Sequence, residues 1–287
     1  MNIHTLIPDI YARVTKKDNW FTEDISADLS QQISRRLQVH FNEDGRKPHL
    51  RLSGLGPMCP CALWYSIHHP EMAEPLPAPA VIKYSYGHVL EALAISLAKA
   101  AGHTVTGEQD ELVVDGVVGH RDCVIDGCIV DIKSTSSIGF NKFKDKSLAQ
   151  NDSFGYLDQL DGYLVGSLSD PLVSNKEHAY ILAIDKTLGK MVLYEHRVRE
   201  MHIRLRIEQY RSIIEQDKPP LCKCGTVGHG AAGNIKLDTR ASYSAWKHCC
   251  FPNLRTFLYA EGPLYLTKVV RVPDVPEVDK NGKLIYN

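Results

Sequence analysis

Nothing in the 287-residue sequence resembles a membrane span or an export signal. No apolar run approaches the roughly 20 residues that cross a bilayer as a helix. The start, MNIHTLIPDIYARVTKK, lacks the basic end, apolar run and small-residue cleavage site of a secretory leader. A cytoplasmic setting is therefore expected. Net charge is nearly absent too: 33 Lys and Arg face 34 Asp and Glu, a formal charge of −1. No global field draws the chain to nucleic acid, so any such affinity must come from local positive charge. Repeats and low-complexity tracts are missing, which excludes solenoids and long disordered linkers. What is present is 44% apolar and 23% charged residues, the makeup of an ordinary globular protein. That supports one large domain or a core with elaborations. Eight cysteines in a reducing compartment need a reason other than disulfides.

The apolar period divides the chain. Residues 26–41 predict a helix, with Ile25, Leu29, Ile33 and Leu37 at four-residue spacing. Residues 43–48 predict a polar loop, and the Pro- and Cys-rich stretch 58–79 a mostly irregular surface connection. Residues 86–101 predict a helix with a Leu/Ala stripe, stopped by Gly102. From 104 to 135 the period becomes two. Asp115-Gly116 and Asp126-Gly127 sit between β-branched runs, the strongest short-range hairpin signal. Helix 153–168, strands 178–184 and 191–196 and a basic helix 200–216 follow, then a Cys/Gly-rich segment and a Pro-containing tail. The expected order is helix, three strands, helix, two strands, helix.

Chemistry gathers at the second hairpin. A two-residue Asp126-Gly127 turn sets Ile125 opposite Cys128, Val124 opposite Ile129 and Cys123 opposite Val130. One step further, Asp122 lies across from Asp131. Such neighbours have Cβ atoms about 4.5–5.5 Å apart, and like charges there are destabilising. Lys133 shares their face, while Ile132 turns into the core. A divalent cation answers the like-charge pair better than Lys133 alone. Hard cations such as Mg²⁺ take oxygen ligands, polarise a phosphoryl oxygen and lower the pKa of a bound water. To act as a proton acceptor, Lys133 would need a pKa well below about 10.4.

These residues resemble the PD-(D/E)xK nucleases. Asp131-Ile132-Lys133 resembles their D-x-K signature, and Gly119-His120-Arg121-Asp122 the preceding G-x-x-D strand. Gly87-His88-Val89-Leu90-Glu91 is similar to the first-helix motif. Gln159-Leu160-Asp161-Gly162-Tyr163 resembles the Q-x-x-x-Y motif of the RecB-type branch, which includes CRISPR-associated and phage recombination exonucleases. The motifs occur in the family's order. The resemblance implies a Mg²⁺ or Mn²⁺ site of Glu91, Asp122, Asp131 and the Ile132 carbonyl, with His88 a further neighbour. It implies catalysis by Lys133, assisted by Gln159 and Tyr163. Many RecB-type members carry His where Glu91 stands, which places this chain nearer the phage exonucleases.

The fold so implied is α/β: a central mixed β-sheet flanked by helices, like a restriction-endonuclease core, with an accessory lobe from the N- and C-terminal segments. Expected boundaries are an accessory segment 1–80, a nuclease core 81–217 and a Cys-containing segment 218–287. The implied activity is metal-dependent DNA exonuclease action in recombination or repair, phage-encoded and working in the bacterial host cytoplasm. A single-strand annealing protein or helicase is the partner by analogy. A structure-selective endonuclease and a non-catalytic DNA-binding module are the rivals.

Tyr156, Gln159 and Tyr163 form one helical stripe, and Gly155 and Gly162, costly inside a helix, suggest close packing. DNA contacts are expected from a loop, Phe140-Asn141-Lys142-Phe143-Lys144-Asp145-Lys146, whose lysines can follow a backbone while aromatics stack on bases. Arginines 197, 199, 204, 206 and 211 form a more diffuse series.

RecB-type relatives often hold an iron–sulfur cluster by one upstream and three C-terminal cysteines. Ser53-Gly54-Leu55 with Cys59-Pro60-Cys61 to Tyr65 resembles the upstream element, with Cys61 in place of Arg. Downstream, the C-x2-C-x5-C spacing counted back from Cys250 meets Ser244 and Ala241, which cannot replace thiolates. Three readings stand: a cluster on Cys59, Cys222, Cys224 and Cys249 or Cys250; a zinc on four of these; or a lost site whose chain ends pack without metal. Cys123 and Cys128, within strands, read as buried thiols.

Overall fold

The computed structural model describes residues 1–42 and 48–285; most of the expected polar loop, 43–47, lies outside them. In chain order the elements are α1 (Leu6–Thr15), α2 (Glu23–Asn42), α3 (Pro60–His68), α4 (Ala78–Ala100), then strands β1 (Val105–Thr106), β2 (Glu111–Val114), β3 (Val117–His120), β4 (Cys123–Ile125) and β5 (Cys128–Thr135). Next come α5 (Ser137–Lys144), α6 (Tyr156–Gly166), β6 (His178–Asp185), β7 (Met191–Arg197) and α7 (Glu200–Ile214). The last part holds β8 (Thr226–His229), β9 (Asn234–Leu237), short helices α8 (Thr239–Ser242) and α9 (Lys247–Cys250), and β10 (Arg255–Tyr259), β11 (Gly262–Lys268) and β12 (Glu277–Val278).

Two compact units result. One joins residues 1–56 to 78–205, the other 57–77 to 206–287. The first is a mixed α/β unit on a five-stranded sheet of order β1-β4-β5-β6-β7. Only β5 and β6 run parallel; the other pairs are antiparallel. The connection between β5 and β6 carries α5 and α6, as a parallel pair requires. α1 and α4 cover one sheet face. There Leu6, Ile10, Ile95 and Ala98 pack on Cys123, Ile125, Val130, Ile132, Leu182 and Ile184. Each buried Leu or Ile contributes about 1.5–3 kcal/mol.

Local chemistry explains most boundaries. Asp115-Gly116 and Asp126-Gly127 both have positive φ (47° and 75°, 49° and 78°), the twist a tight hairpin needs. Gly102, at φ 94°, receives the end of α4, and the next amide, of His103, donates to Ala98. Pro60 stands at the first turn of α3, where its missing N–H costs nothing.

Several expectations are corrected. The stretch 58–79 is not mostly irregular, because Pro60 starts a helix rather than breaking one. Five strands, not three, lie between 104 and 135. The β2–β3 hairpin stands apart as its own ribbon, while β4–β5 enters the sheet. Gly155 is not inside α6 but caps it at φ 73°. Residues 140–146 are largely helical, in α5. The tail carries the second unit's antiparallel sheet, of order β12-β10-β11-β9-β8. Its strands are short and partly exposed, so their alternation is faint.

No helix among the described residues is long and apolar enough to cross a membrane.

Candidate active site

The hairpin register holds as derived: Ile125 pairs with Cys128, Val124 with Ile129, Cys123 with Val130. The ladder stops there. Instead of standing opposite Asp131 in the ladder, Asp122 turns its Oδ2 to accept the Ile132 N–H at 2.7 Å. That bond fixes one carboxylate beside the other. Asp131 is fully buried on β5. Lys133 Nζ lies 2.9 Å from its Oδ1 and 2.8 Å from its Oδ2. The ammonium also sits 5.3 Å from the Tyr156 ring centroid.

α6 closes over this face. Gln159 Nε2 donates to the Tyr163 hydroxyl at 2.7 Å and lies 3.3 Å from Asp131 Oδ1. The close approach of α6 has a visible cause. Leu52, fully buried, lies between α6 and β3, and a Cβ on Gly162 would sit 3.3 Å from it. A Cβ on Gly119, the Gly of the G-x-x-D stretch, would meet Leu52 Cβ at 2.6 Å. Arg121, in the same stretch, is buried between Asp110 and Asp170, at 2.6 Å from each, and anchors the turn leading to Asp122.

Glu91 enters from α4, 8% exposed. Two residues that motif reading missed hold it. Arg36 Nη1 lies 2.9 Å from Glu91 Oε1, and Gln109 Nε2 donates to the same oxygen at 2.8 Å. Arg36 is on α2, its side chain 10% exposed and its Nε without a hydrogen-bond partner. A signal for it was present: Leu29, Ile33, Arg36 and His40 lie at i, i+4, i+7 and i+11, so the arginine belongs to the inward stripe. Gln109 has φ 58°, rare for a residue with a side chain, and its N–H donates to the Asp122 carbonyl at 3.2 Å. It thus ties Asp122 to Glu91. His88, one turn earlier on α4, packs its ring 5.0 Å from His40.

The site is short of positive charge. Burial, then the Asp122 charge, pushes Glu91 up to about 8 despite Arg36. Burial also drives Asp131 up to about 7; Lys133 pulls it down and Asp122 raises it further. Burial pulls the other way on Lys133, but Asp131 and Asp122 hold it above its ordinary range. Burial and the same aspartates raise Tyr163.

Among the described residues, two ligand groups bring their atoms within 4.8 Å of one another, and the Glu91–Asp122–Asp131 set is not one. Arg36 and Lys133 draw two of its carboxylates to themselves. The first converging group is Asp158, Asp161 and His202. Arg199 Nη2 already stands 2.8 and 2.7 Å from those two aspartates, so the charge there is met from within the chain. The second is Cys59, Cys222, Cys224 and Cys250, in the second unit.

The expected DNA segment changes character. On α5, Phe143 is 3% exposed and its ring lies 6.1 Å from both Tyr156 and Tyr194. It is a core residue and cannot stack on bases. Lys142 Nζ reaches the Asn151 carbonyl at 3.3 Å, while Lys144 and Lys146 are exposed. In the arginine series, Arg199 is engaged by Asp158 and Asp161, and Arg204 by Asp115 and Glu200.

No family model matches the chain, and no curated protein does. Among solved structures, SSO0001 is similar over 80% of this chain and 97% of its own, at 16% identity and TM-score 0.42. An alkaline exonuclease from Laribacter hongkongensis aligns over 72% of this chain and 84% of its own, at 12% identity and TM-score 0.32. A phage related exonuclease from Haemophilus somnus 129PT aligns over 72% and 89%, at 13% identity and TM-score 0.36.

Proposed function

We propose that the chain is a divalent-metal-dependent deoxyribonuclease of the PD-(D/E)xK type, acting as an exonuclease on linear DNA in recombination or repair. One observation carries the reading. Three carboxylates, two of them buried and raised to about 8 and about 7, share a site with too little positive charge to ionise them together. A buried acid set of this kind is costly unless a cation completes it. The donors are all oxygens, which suits Mg²⁺ or Mn²⁺.

Glu91, Asp122 and Asp131 would hold the ion. When bound, it supplies Lewis-acid polarisation of a phosphoryl oxygen and an acidified water. Lys133 keeps its proton beside Asp131, so its role is that of a fixed cation and donor toward negative charge developing on the phosphate. It is not the proton acceptor. Gln159 orients Asp131 and Tyr163. Arg36 would compete with the ion for Glu91, and a guanidinium displaced by the ion could meet a phosphate oxygen. Exposed Lys144 and Lys146 would contact the DNA backbone. A single-strand annealing protein or helicase is the partner class, and a phage genome the source, that fit an exonuclease of this branch.

End-labelled linear and circular DNA, each with and without Mg²⁺ or Mn²⁺, test the proposal against Lys133→Ala. Metal-dependent loss of linear DNA only, absent in the variant, is expected. Cutting of circles would favour an endonuclease. DNA binding without cleavage under any metal would leave a binding module.

A further inference from the structure

We propose that Gln109 is a positioning residue for the divalent ion: its side-chain amide sets Glu91 and its backbone N–H sets Asp122, so that ligands from two separate elements face one ion. The inference rests on the metal-dependent reading above and names a residue on which affinity for the ion turns. Its starting point is a backbone outlier. Gln109 has φ 58°, in the left-handed region that is costly for a residue with a Cβ and suits Gly or Asn. Packing does not account for a Gln there, because the residue is exposed. Strain of this kind persists where the surroundings over-determine it, commonly at functional sites.

The surroundings do so here. Gln109 lies between β1 and β2, and its neighbours in that loop are tied down. The Gly107 carbonyl accepts from Arg121 Nε at 3.1 Å, and a Cβ on Gly107 would collide with that guanidinium. Glu108 Oε1 pairs with Lys99 Nζ of α4 at 2.7 Å. Asp110 Oδ2 pairs with Arg121 Nη2 at 2.6 Å, and its carbonyl accepts the Arg121 N–H at 3.2 Å. The loop is thus clamped between α4, which carries Glu91, and the turn that carries Asp122. Held there, Gln109 Nε2 donates to Glu91 Oε1 at 2.8 Å and its N–H donates to the Asp122 carbonyl at 3.2 Å. Arg36 Nη1 uses the same Glu91 oxygen, at 2.9 Å, so neither donor occupies Oε2. The two donors differ in charge. Arg36 is a cation that competes with an ion for the carboxylate. The Gln109 amide is neutral, so it fixes the carboxylate and leaves its charge to the ion. Hydrogen bonds to a ligating carboxylate are worth roughly ten- to a hundredfold in metal affinity. Removing Gln109 should therefore weaken the ion where removing Arg36 tightens it.

The test is Mn²⁺ titration of the full chain without DNA, by calorimetry, scored on the binding that Glu91→Gln removes. Gln109→Gly should weaken it by roughly tenfold to a hundredfold. Its melting temperature in chelator should stay within about 3 °C of wild type, because the relieved φ offsets the lost bond. Gln109→Asn tolerates the same φ, but its amide is one methylene short of Glu91, so it should weaken the ion alike. Cleavage by Gln109→Gly should fall at low Mn²⁺ and recover as Mn²⁺ is raised. An equal Kd in Gln109→Gly, with wild-type binding intact, would overturn this inference and leave the metal reading standing. So would tighter binding, full affinity kept by Gln109→Asn, or a larger fall in melting temperature in chelator, which marks a structural residue. Wild-type protein with no Mn²⁺ binding that depends on Glu91 would overturn the metal reading, and this inference with it.

Discussion

Glu91→Gln should stabilise the metal-free protein at alkaline pH while removing its activity. Glu91 is buried, and its pKa of about 8 means the folded chain holds a proton that the unfolded chain has released. Between about pH 4.5 and pH 8 the folded state binds more protons, so stability falls as pH rises through that window. At about 1.4 kcal/mol per unit, the shift corresponds to an upper bound of about 5 kcal/mol. The Arg36 charge is already contained in that value; the repulsion is shared with Asp122 and Asp131, which keep their own charges in the variant's neighbourhood, so the part that Gln relieves is about 2 kcal/mol. Gln keeps the Oε1 acceptor for Arg36 and Gln109 but cannot ionise. In a chain of this size, that is roughly 4–8 °C of melting temperature. Melts in chelator should show the variant higher than wild type at pH 8 and level with it at pH 4.5. Mn²⁺ should raise wild type and leave the variant unmoved. A variant that melts lower at both pH values, or gains as much from Mn²⁺ as wild type, would refute the reasoning.

Lys133→Ala should lower kcat by about a thousandfold with DNA affinity nearly kept, since the lysine acts on charge that develops during the reaction; single-turnover cleavage measures this. Arg36→Gln should tighten Mn²⁺ binding several-fold by removing a competing cation and weaken DNA binding; equal losses of both would contradict the assigned competition. Tyr163→Phe should slow cleavage about tenfold with metal affinity unchanged, because Gln159 loses one anchor but keeps Asp131; titration calorimetry separates the two. Gly119→Ala should destabilise by about 1–3 kcal/mol in chemical denaturation, because the new Cβ lands 2.6 Å from Leu52 inside a packed core.

The hairpins were legible from residues alone. An Asp-Gly turn dictates its own φ angles, and period two then assigns every side chain to a face. Asp131 and Lys133 therefore share a face, with Ile132 opposite, from the pattern alone. α4 and α6 were legible through their stripes, though not their first turns, because Pro79 and Gly155 obey cap chemistry rather than period. Phe143 was misread because alternation with lysines suits a loop and a short helix equally; only packing against Tyr156 and Tyr194 turned it inward. The sheet β8–β12 was missed because its short strands are stabilised by pairing across distant residues, with little amphipathic pattern of their own. Arg36 reaching Glu91 across 55 positions, and Cys59 meeting Cys222, Cys224 and Cys250, belong to tertiary structure alone. Spacing along a chain carries no information about which distant side chains close on one another. That depends on how the apolar faces of α2, α3 and α4 are buried.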